Sequence, residues 1–167
     1  RGHLHDDEIS ERRAVKTAQG FLAQMDPVWG GMFYASFGRR DQIVGELRLE
    51  SQAAALQLFA DAFQTTGDVR FARGLDGIHR YLTGMMASPR GTFYANQKDV
   101  VAGLSSGMSV DDYYELDDEG RRAIGVPFID RAVYTDVNGR AIAGLVRAFE
   151  ATGEARRVTL CPAPAIR

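Results

Sequence analysis

The fold is decided by residues 49–82, which read LESQAAALQLFADAFQTTGDVRFARGLDGIHRYL. In the first half of this stretch, apolar side chains recur every three or four residues, which is the spacing that places them on one face of an α-helix. The stripe consists of Leu49, Ala53, Leu56, Ala60 and Phe63, with Leu58 and Ala62 near a second stripe. We therefore predict a helix from Leu49 to Thr65 that is buried on two sides.

The same stretch contains a turn and a second helix. Gly67 is expected to end the first helix in the left-handed conformation, and Asp68 is expected to cap the next one. The apolar stripe of the second helix consists of Phe71, Leu75, Ile78, Leu82 and Met85. Two helices joined by so short a turn predict a helical hairpin.

Further elements are predicted on both sides of the hairpin. A first helix is expected from Ile9 to Met25, because the proline of Asp26-Pro27 disfavours helical geometry in the residue before it. A brief helix is expected from Asp118 to Ile124, capped by Asp117, and a last one from Asn138 to Thr152. The apolar stripe of that last helix consists of Ile142, Leu145, Val146 and Phe149.

Extended segments are expected between the helices. Met32–Tyr34, Thr92–Tyr94 and Tyr113–Leu116 have the aromatic character of short strands. The residues from Tyr94 to Met108 are rich in glycine and serine, which is typical of a loop.

Two segments of the sequence are weakly repeated. Residues 62–68, AFQTTGD, are similar to residues 148–154, AFEATGE, and residues 31–35, GMFYA, are similar to residues 91–95, GTFYA. A recurring unit of helix, aromatic turn and helix is typical of stacked hairpins, none of which buries its own apolar face. The alternative is chance similarity between common ways of ending a helix.

Composition and periodicity together predict one mainly α-helical domain of helical hairpins. We expect a flexible segment at residues 1–8, the helical domain at 9–154 and an irregular tail at 155–167, where prolines disfavour a helix. The net charge of −2 provides no broad positive field, so nucleic acid is not expected as a partner. No run of the sequence approaches the roughly 20 apolar residues that cross a bilayer.

Five motifs in sequential order resemble a known family. They are DPVWGG at residues 26–31, TGD at 66–68, IHRYL at 78–82, GTFYANQ at 91–97 and YELDD at 114–118. These motifs are similar to the helical region of the thioredoxin-domain-containing proteins related to spermatogenesis-associated protein 20. That region resembles the six-hairpin (α/α) toroid of glycosidases and of N-acylglucosamine 2-epimerase. The resemblance implies a partial toroid, because this chain is too short to supply six hairpins.

The departures from the family pattern concern its polar residues. Of the His-Phe-Glu-Lys stretch before the second helix, only Glu46 is retained. Within that helix, the family has an acidic residue followed by asparagine, and this chain has Ala54-Ala55. After the Tyr-x-x-Gln motif, the family's acidic positions are occupied by Lys98 and Val100, and Asp99 lies between these positions. The resemblance therefore implies a fold more strongly than an activity.

The sequence contains three arrangements of reactive residues, and none of them favours a catalytic site. Ser105 stands in a G-x-S-x-G pattern, but no histidine follows it in the sequence, as the base does in that fold. His3 and His5, beside the acidic residues 6–8, could bind a metal, but a frayed terminus explains them as well. Candidate carboxylates for glycoside cleavage are Glu46, Asp99, Asp111, Asp112 and Glu115, and their spacing defines no pair across a cleft. We expect no metal and no cofactor.

Aromatic residues gather at the predicted turns, where they could stack on a sugar or pack on the ends of the helices. Should a ligand site exist, we expect it at these turns. The expected site residues are Trp29, Tyr34, Glu46, Tyr94, Gln97 and Tyr114. The leading hypothesis is a non-catalytic accessory or interaction subunit, in which a protein partner or a second copy covers the open ends of the hairpin stack. The alternative is a sugar-binding protein or an epimerase-like or glycosidase-like enzyme.

Overall fold

The computed structural model describes residues 8–37, 42–101 and 107–154 of the chain. In these ranges the chain is mainly helical, as predicted, with a small sheet. The helices are α1 (Glu8–Leu22), α2 (Leu49–Thr66), α3 (Val69–Tyr81), α4 (Val110–Glu115), α5 (Asp118–Ile124) and α6 (Thr135–Thr152), and a short π-helix at Leu82–Met86 extends α3. The strands are β1 (Ala35–Phe37), β2 (Gln42–Val44), β3 (Leu47–Arg48), β4 (Asn96–Val101) and β5 (Pro127–Asp130).

The hairpin of α2 and α3 is confirmed, and its turn has the predicted chemistry. Gly67 ends α2 at φ 67°, and its N–H donates to the carbonyl oxygen of Phe63 over 2.8 Å. Asp68 caps α3, because its Oδ1 accepts the N–H of Arg70 at 2.9 Å. The two helices then pack through large apolar side chains, including the ring of Phe59 6.0 Å from that of Phe71.

The prediction of a strand at Tyr113–Leu116 is wrong, because Val110–Glu115 forms the helix α4. Ser109 and Asp112 make a capping box in which each side chain accepts the other's main-chain N–H. This local cap satisfies the first N–H groups of the helix, and it outweighs the strand preference of the two tyrosines. The neighbouring helix Asp118–Ile124 and its cap, Asp117, are confirmed.

Three other boundaries differ from the sequence predictions. Helix α1 ends at Leu22 instead of Met25, because the N–H groups of residues 23–25 bond to carbonyls three residues earlier, which tightens the end of the helix. Helix α6 begins at Thr135, three residues before the predicted start. The stretch expected to be a loop contains β4, whose pairing with β3 and β5 is set by residues far away in the sequence.

The sheet lies where α2 and α6 begin. Its order is β3-β4-β5, and both pairings are antiparallel. Strand β3 runs directly into α2, and the first residue of that helix, Leu49, donates its N–H to the carbonyl oxygen of Ala95 over 2.9 Å. Strand β5 is followed after four residues by α6. A separate antiparallel pair, β1 and β2, precedes β3.

Helices α2 and α6 are equivalent elements of an internal repeat. Each has 18 residues and ends at a left-handed glycine, Gly67 at φ 67° and Gly153 at φ 71°. In each, the threonine before the glycine donates its hydroxyl to the carbonyl oxygen four residues earlier. A shift of 86 residues, which takes Leu49 to Thr135, therefore relates one helix to the other.

The turns that precede these helices also correspond. Met25 forms an isolated antiparallel bridge with Met32, and Ala87 forms one with Phe93. The first polar residue of each turn, Asp26 or Ser88, accepts the N–H two residues further on. Each repeat thus consists of a helix, a turn closed by a bridge, and an 18-residue helix.

The two repeats pack side by side with α2 and α6 running in the same direction. Arg140, early in α6, pairs with Glu50, early in α2, over 3.2 Å. Arg147, further along α6, pairs with Asp61, further along α2, over 3.0 Å. Helix α2 also contacts α1 and α3, so it lies at the centre of the core.

Candidate functional site

A polar cluster centred on Glu46 lies on the sheet where α2 begins. The Oε2 atom of Glu46 accepts two hydrogen bonds from the guanidinium of Arg48, at 3.0 and 2.8 Å. Its Oε1 atom accepts one from Nδ2 of Asn96 at 2.9 Å and one from Nζ of Lys98 at 3.4 Å. All three partners are donors, so the carboxylate is surrounded by groups that stabilise its charge.

Tyr34 forms the aromatic side of this Glu46 cluster. The guanidinium carbon of Arg48 lies 3.7 Å from the centroid of the Tyr34 ring, which is a cation–π contact. The Tyr34 N–H donates to the carbonyl oxygen of Glu46 over 2.8 Å. The ring is 48% exposed. Two of the six predicted residues are therefore neighbours in an accessible polar site.

The charge state of Glu46 limits the chemistry available to it. Partial burial raises the pKa of Glu46, but hydrogen bonds and the positive charges of Arg48 and Lys98 lower it more, and the net shift is below the ordinary value. A general acid in glycoside cleavage needs a raised pKa so that it holds a proton near neutral pH. Glu46 is therefore unsuited to donate a proton.

Gln97 and Tyr114, two more of the predicted residues, are buried in a hydrogen-bonded chain. Nε2 of Gln97 donates to the hydroxyl of Tyr114 at 2.7 Å, and that hydroxyl donates to the carbonyl oxygen of Gly45 at 2.9 Å. The hydroxyl of Tyr81 donates to Oε1 of Gln97 at 3.4 Å. Burial raises the pKa of Tyr114 and of Tyr81. Both phenols stay protonated at neutral pH, and these hydrogen bonds join Gly45, between β2 and β3, to α4 and β4.

Trp29, the fifth predicted residue, is buried at the first turn. Its Nε1 donates to Oδ1 of Asp118 at 2.6 Å, and its ring lies edge-on to that of Tyr113 with centroids 6.4 Å apart. Burial raises the pKa of Tyr113 to about 12. Trp29 therefore joins the first turn to α4 and α5 and presents little surface to a ligand.

The same region contains a buried ion pair that the sequence did not reveal. Arg121 lies in α5 and is fully buried. It makes two hydrogen bonds to the carboxylate of Asp26, at 2.7 and 3.0 Å. It also donates to the carbonyl oxygens of Leu116 and Tyr114 and lies 5.0 Å from the ring centroid of Trp29. Asp26 and Arg121 are 95 positions apart in the sequence, so no spacing pattern could have identified the pair.

Tyr94, the sixth predicted residue, is half-buried and stands apart from the Glu46 cluster. Its ring centroid lies 6.0 Å from the guanidinium carbon of Arg131. A groove of about 420 Å³ runs along β5, and it is lined by Pro127, Phe128, Ile129 and Arg131. None of the six predicted residues lines this groove.

An exposed apolar surface lies along β5 and α6. Nine large apolar side chains are exposed among the described residues, and six of them fall between residues 126 and 146. We call these six residues the β5–α6 surface. They are Val126, Phe128, Val133, Tyr134, Ile142 and Val146. Phe128, on the edge strand β5, is the most exposed at 63%.

The predicted stripe of α6 divides between two faces of the helix. Leu145 is buried, whereas Ile142 is 44% exposed and Val146 is 38% exposed. The periodicity of the sequence grouped these residues in one apolar stripe, but it did not indicate that Ile142 and Val146 are exposed.

Several residues considered for chemistry lie outside the described ranges. These are His3, His5, Asp6, Asp7 and Ser105. Among the described residues, no group of three or more histidine, cysteine or acidic side chains is arranged to hold a metal ion. None of the described helices combines the length and apolar character needed to span a membrane.

No protein-family model matches the chain, and no curated protein matches it. The resemblance stated from the sequence motifs therefore remains a proposal.

Proposed function

We propose that this chain is a non-catalytic helical-hairpin module that binds a protein partner through the β5–α6 surface. The proposal includes that the module is a partial (α/α) toroid. It would be related to the helical region of the thioredoxin-domain-containing proteins that the sequence motifs resemble. The observation that carries it is that six of the nine large apolar side chains exposed among the described residues fall between residues 126 and 146. Concentrated exposed apolar side chains generally mark a site of contact with another protein.

The polar residues support a non-catalytic role. Three of the six predicted residues, Trp29, Gln97 and Tyr114, make hydrogen bonds that hold the turns, the sheet and the short helices together. Glu46 is a carboxylate held in its charged form by Arg48 and Lys98. Catalysis by a carboxylate pair needs one member that holds a proton, and the lowered pKa of Glu46 does not suit it to that part.

The proposed function predicts exposed apolar surface in solution. We expect the full chain to bind a hydrophobic dye, and we expect a Phe128→Ser/Ile142→Asp double variant to bind much less of it. Val69→Asp is the matched control, because Val69 is as exposed as Phe128 but lies at the start of α3. Light scattering would show whether the chain associates with itself. A stable monomer that binds no dye would contradict the proposal.

A second candidate function is saccharide binding at the Glu46 cluster. The observation that favours it is the exposed ring of Tyr34 beside the hydrogen-bonding groups of Glu46, Arg48 and Asn96, since sugar sites combine a stacking ring with polar groups. A saccharide library would be screened by NMR against the wild type, Tyr34→Ala and Glu46→Gln. Binding that both variants abolish would support this function, and the absence of binding to any saccharide would exclude it.

A further inference from the structure

We propose that the outward-facing side of α6 is the docking site for a helix that lies on α6 as α6 lies on α2. This inference rests on the proposed function and specifies the chemistry of the partner. We call the site the α6 outer face and define it as Gly139, Ile142 and Val146. All three residues are exposed.

The internal repeat identifies this face. A shift of 86 residues relates α2 to α6, and it maps the α6 outer face onto a stripe of α2. The corresponding pairs are Ala53 with Gly139, Leu56 with Ile142 and Ala60 with Val146. The three α2 residues are buried at 1% exposure or less, and α6 packs against the first two. The same apolar stripe is therefore covered in the first repeat and open in the second.

The charges beside this stripe specify one residue of the docking helix. Glu50 of α2 accepts a hydrogen bond from Arg140 of α6 at 3.2 Å. The counterpart of Glu50 in α6 is Asp136, which is also acidic and is exposed. A helix that docks in the same way brings a basic residue to Asp136. That residue occupies the position in the docking helix that Arg140 has in α6.

The close approach of α6 to α2 specifies a second residue. A Cβ atom on Gly144 would lie 2.9 Å from Cβ of Leu56 and 3.1 Å from the carbonyl oxygen of Ala53, so this position accepts little more than glycine. Gly144 follows Arg140 by four residues. The docking helix therefore carries a basic residue followed four positions later by glycine or alanine, and it runs parallel to α6.

A second copy of this chain does not fit the site in the repeat geometry. Buried residues of α6 include Ala141, Gly144, Leu145 and Ala148, and their α2 counterparts are Ala55, Leu58, Phe59 and Ala62. In α2, three of these four are buried in the chain's own core. The α2 of another copy cannot present them, and the occupant that we propose is a helix of a different protein.

The probe for this inference is a synthetic peptide with the sequence of residues 133–154. A hydrocarbon staple replaces Ile142 and Val146 of the peptide, which stabilises the helix and prevents self-association through its own outer face. Arg147 of the peptide is changed to Glu, because it would face Arg147 of the protein, the counterpart of Asp61. Binding to the full, isotopically labelled chain would be followed by NMR chemical shifts.

We expect the shifts to concentrate on Gly139, Ile142 and Val146 of the protein. Ile142→Asp should weaken binding about tenfold or more, since it removes the central apolar contact. Leucine at position 144 of the peptide should abolish binding. Val69→Asp in the protein is the matched control and should leave the affinity unchanged. A spin label at the amino end of the peptide should broaden signals near Thr135 and not those near Thr152.

A charge exchange tests the role of Asp136. Asp136→Lys should weaken binding about fivefold, and a peptide with Arg140 changed to Glu should restore it. Broadening near Thr152 would indicate an antiparallel helix and would overturn the inference. So would a dimer of the chain that Ile142→Asp converts to a monomer. If the chain binds the hydrophobic dye but not the peptide at millimolar concentration, this inference fails while the proposed function stands.

Discussion

Gln52 binds both main-chain groups of Met32, since its Oε1 accepts the Met32 N–H at 2.7 Å and its Nε2 donates to the Met32 carbonyl oxygen at 2.8 Å. In the second repeat, Asn138 binds Phe93 in the same way, at 2.8 and 3.1 Å. In each case a buried amide takes the place of a neighbouring strand and holds the turn against the start of an 18-residue helix. These paired contacts are the strongest structural sign that the two segments are repeats.

Replacing Gln52 with Leu should lower the free energy of unfolding by about 2–4 kcal/mol. The variant keeps an apolar side chain of similar size but leaves the buried N–H and carbonyl groups of Met32 without partners, at about 1–3 kcal/mol each. Urea unfolding followed by circular dichroism would measure the change. Gln57→Leu is the matched control, because Gln57 is exposed on the same helix, and it should change stability by less than about 0.5 kcal/mol. Equal effects of the two substitutions would contradict the assignment.

Replacing Asp26 with Asn should destabilise the chain by about 3–5 kcal/mol, because it leaves the buried charge of Arg121 without its counterion. Thermal and urea unfolding would both report the loss. Asp61→Asn removes the exposed pair with Arg147 and should cost about 1 kcal/mol or less. The Asp26→Leu/Arg121→Met double variant should be more stable than Asp26→Asn, since it removes both charges. A double variant less stable than Asp26→Asn would contradict the explanation that the loss of stability comes from the uncompensated charge of Arg121.

The stabilising effect of Glu46 should depend on pH. Since the pKa of Glu46 is lowered in the folded state, its carboxylate contributes stability above its ordinary value of 4.5, and this contribution is lost as the pH falls through the folded-state pKa. Glu46→Gln should therefore be less stable than the wild type at pH 7, by about 1 kcal/mol, and the difference should vanish at low pH. Glu50→Gln, at an exposed pair, serves as the control. If the difference in stability between the wild type and Glu46→Gln grew as the pH fell, the prediction would be contradicted.

Two glycines of α6 should respond to alanine in opposite directions. Gly144→Ala should destabilise the chain by about 1–3 kcal/mol, because its Cβ would meet Leu56 and the main chain of Ala53. Gly139→Ala should stabilise it by about 0.5–1 kcal/mol, because no atom lies within 4 Å of the added Cβ and alanine favours the helix. Thermal unfolding of both variants would test this. Stabilisation by Gly144→Ala would mean that α6 lies further from α2 than described.

Local patterns predicted most of the helical framework. The stripe of Leu49, Leu56 and Phe63, the left-handed Gly67 and the cap Asp68 identified α2, its end and the start of α3, because contacts within three or four residues determine these features. The two tyrosines at 113 and 114 were misread as a strand, because the preceding capping box was not recognised. Strand β4 was missed because its partners are distant in the sequence.

The candidate site was predicted only in part. Tyr34 and Glu46 were chosen separately, and the structure brings them together through Arg48, which the sequence did not single out. Trp29, Gln97 and Tyr114 have the polar atoms of a ligand site, but those atoms are bonded within the protein. Whether a polar side chain faces a ligand or a buried partner depends on long-range packing, which short motifs do not encode.

The sequence by itself determined most of the helices and the cap and end of the α2–α3 hairpin, and it indicated a repeat, because these follow from periodicity and from residues within a few positions of one another. Only the tertiary structure decided that Arg121 is buried against Asp26, and that the stripe covered on α2 is open on α6. The physical reason is that burial depends on which elements meet in space. Leu56 and Ile142 are apolar residues at the same position in the repeat. Leu56 is buried because α6 covers it, whereas Ile142 is exposed.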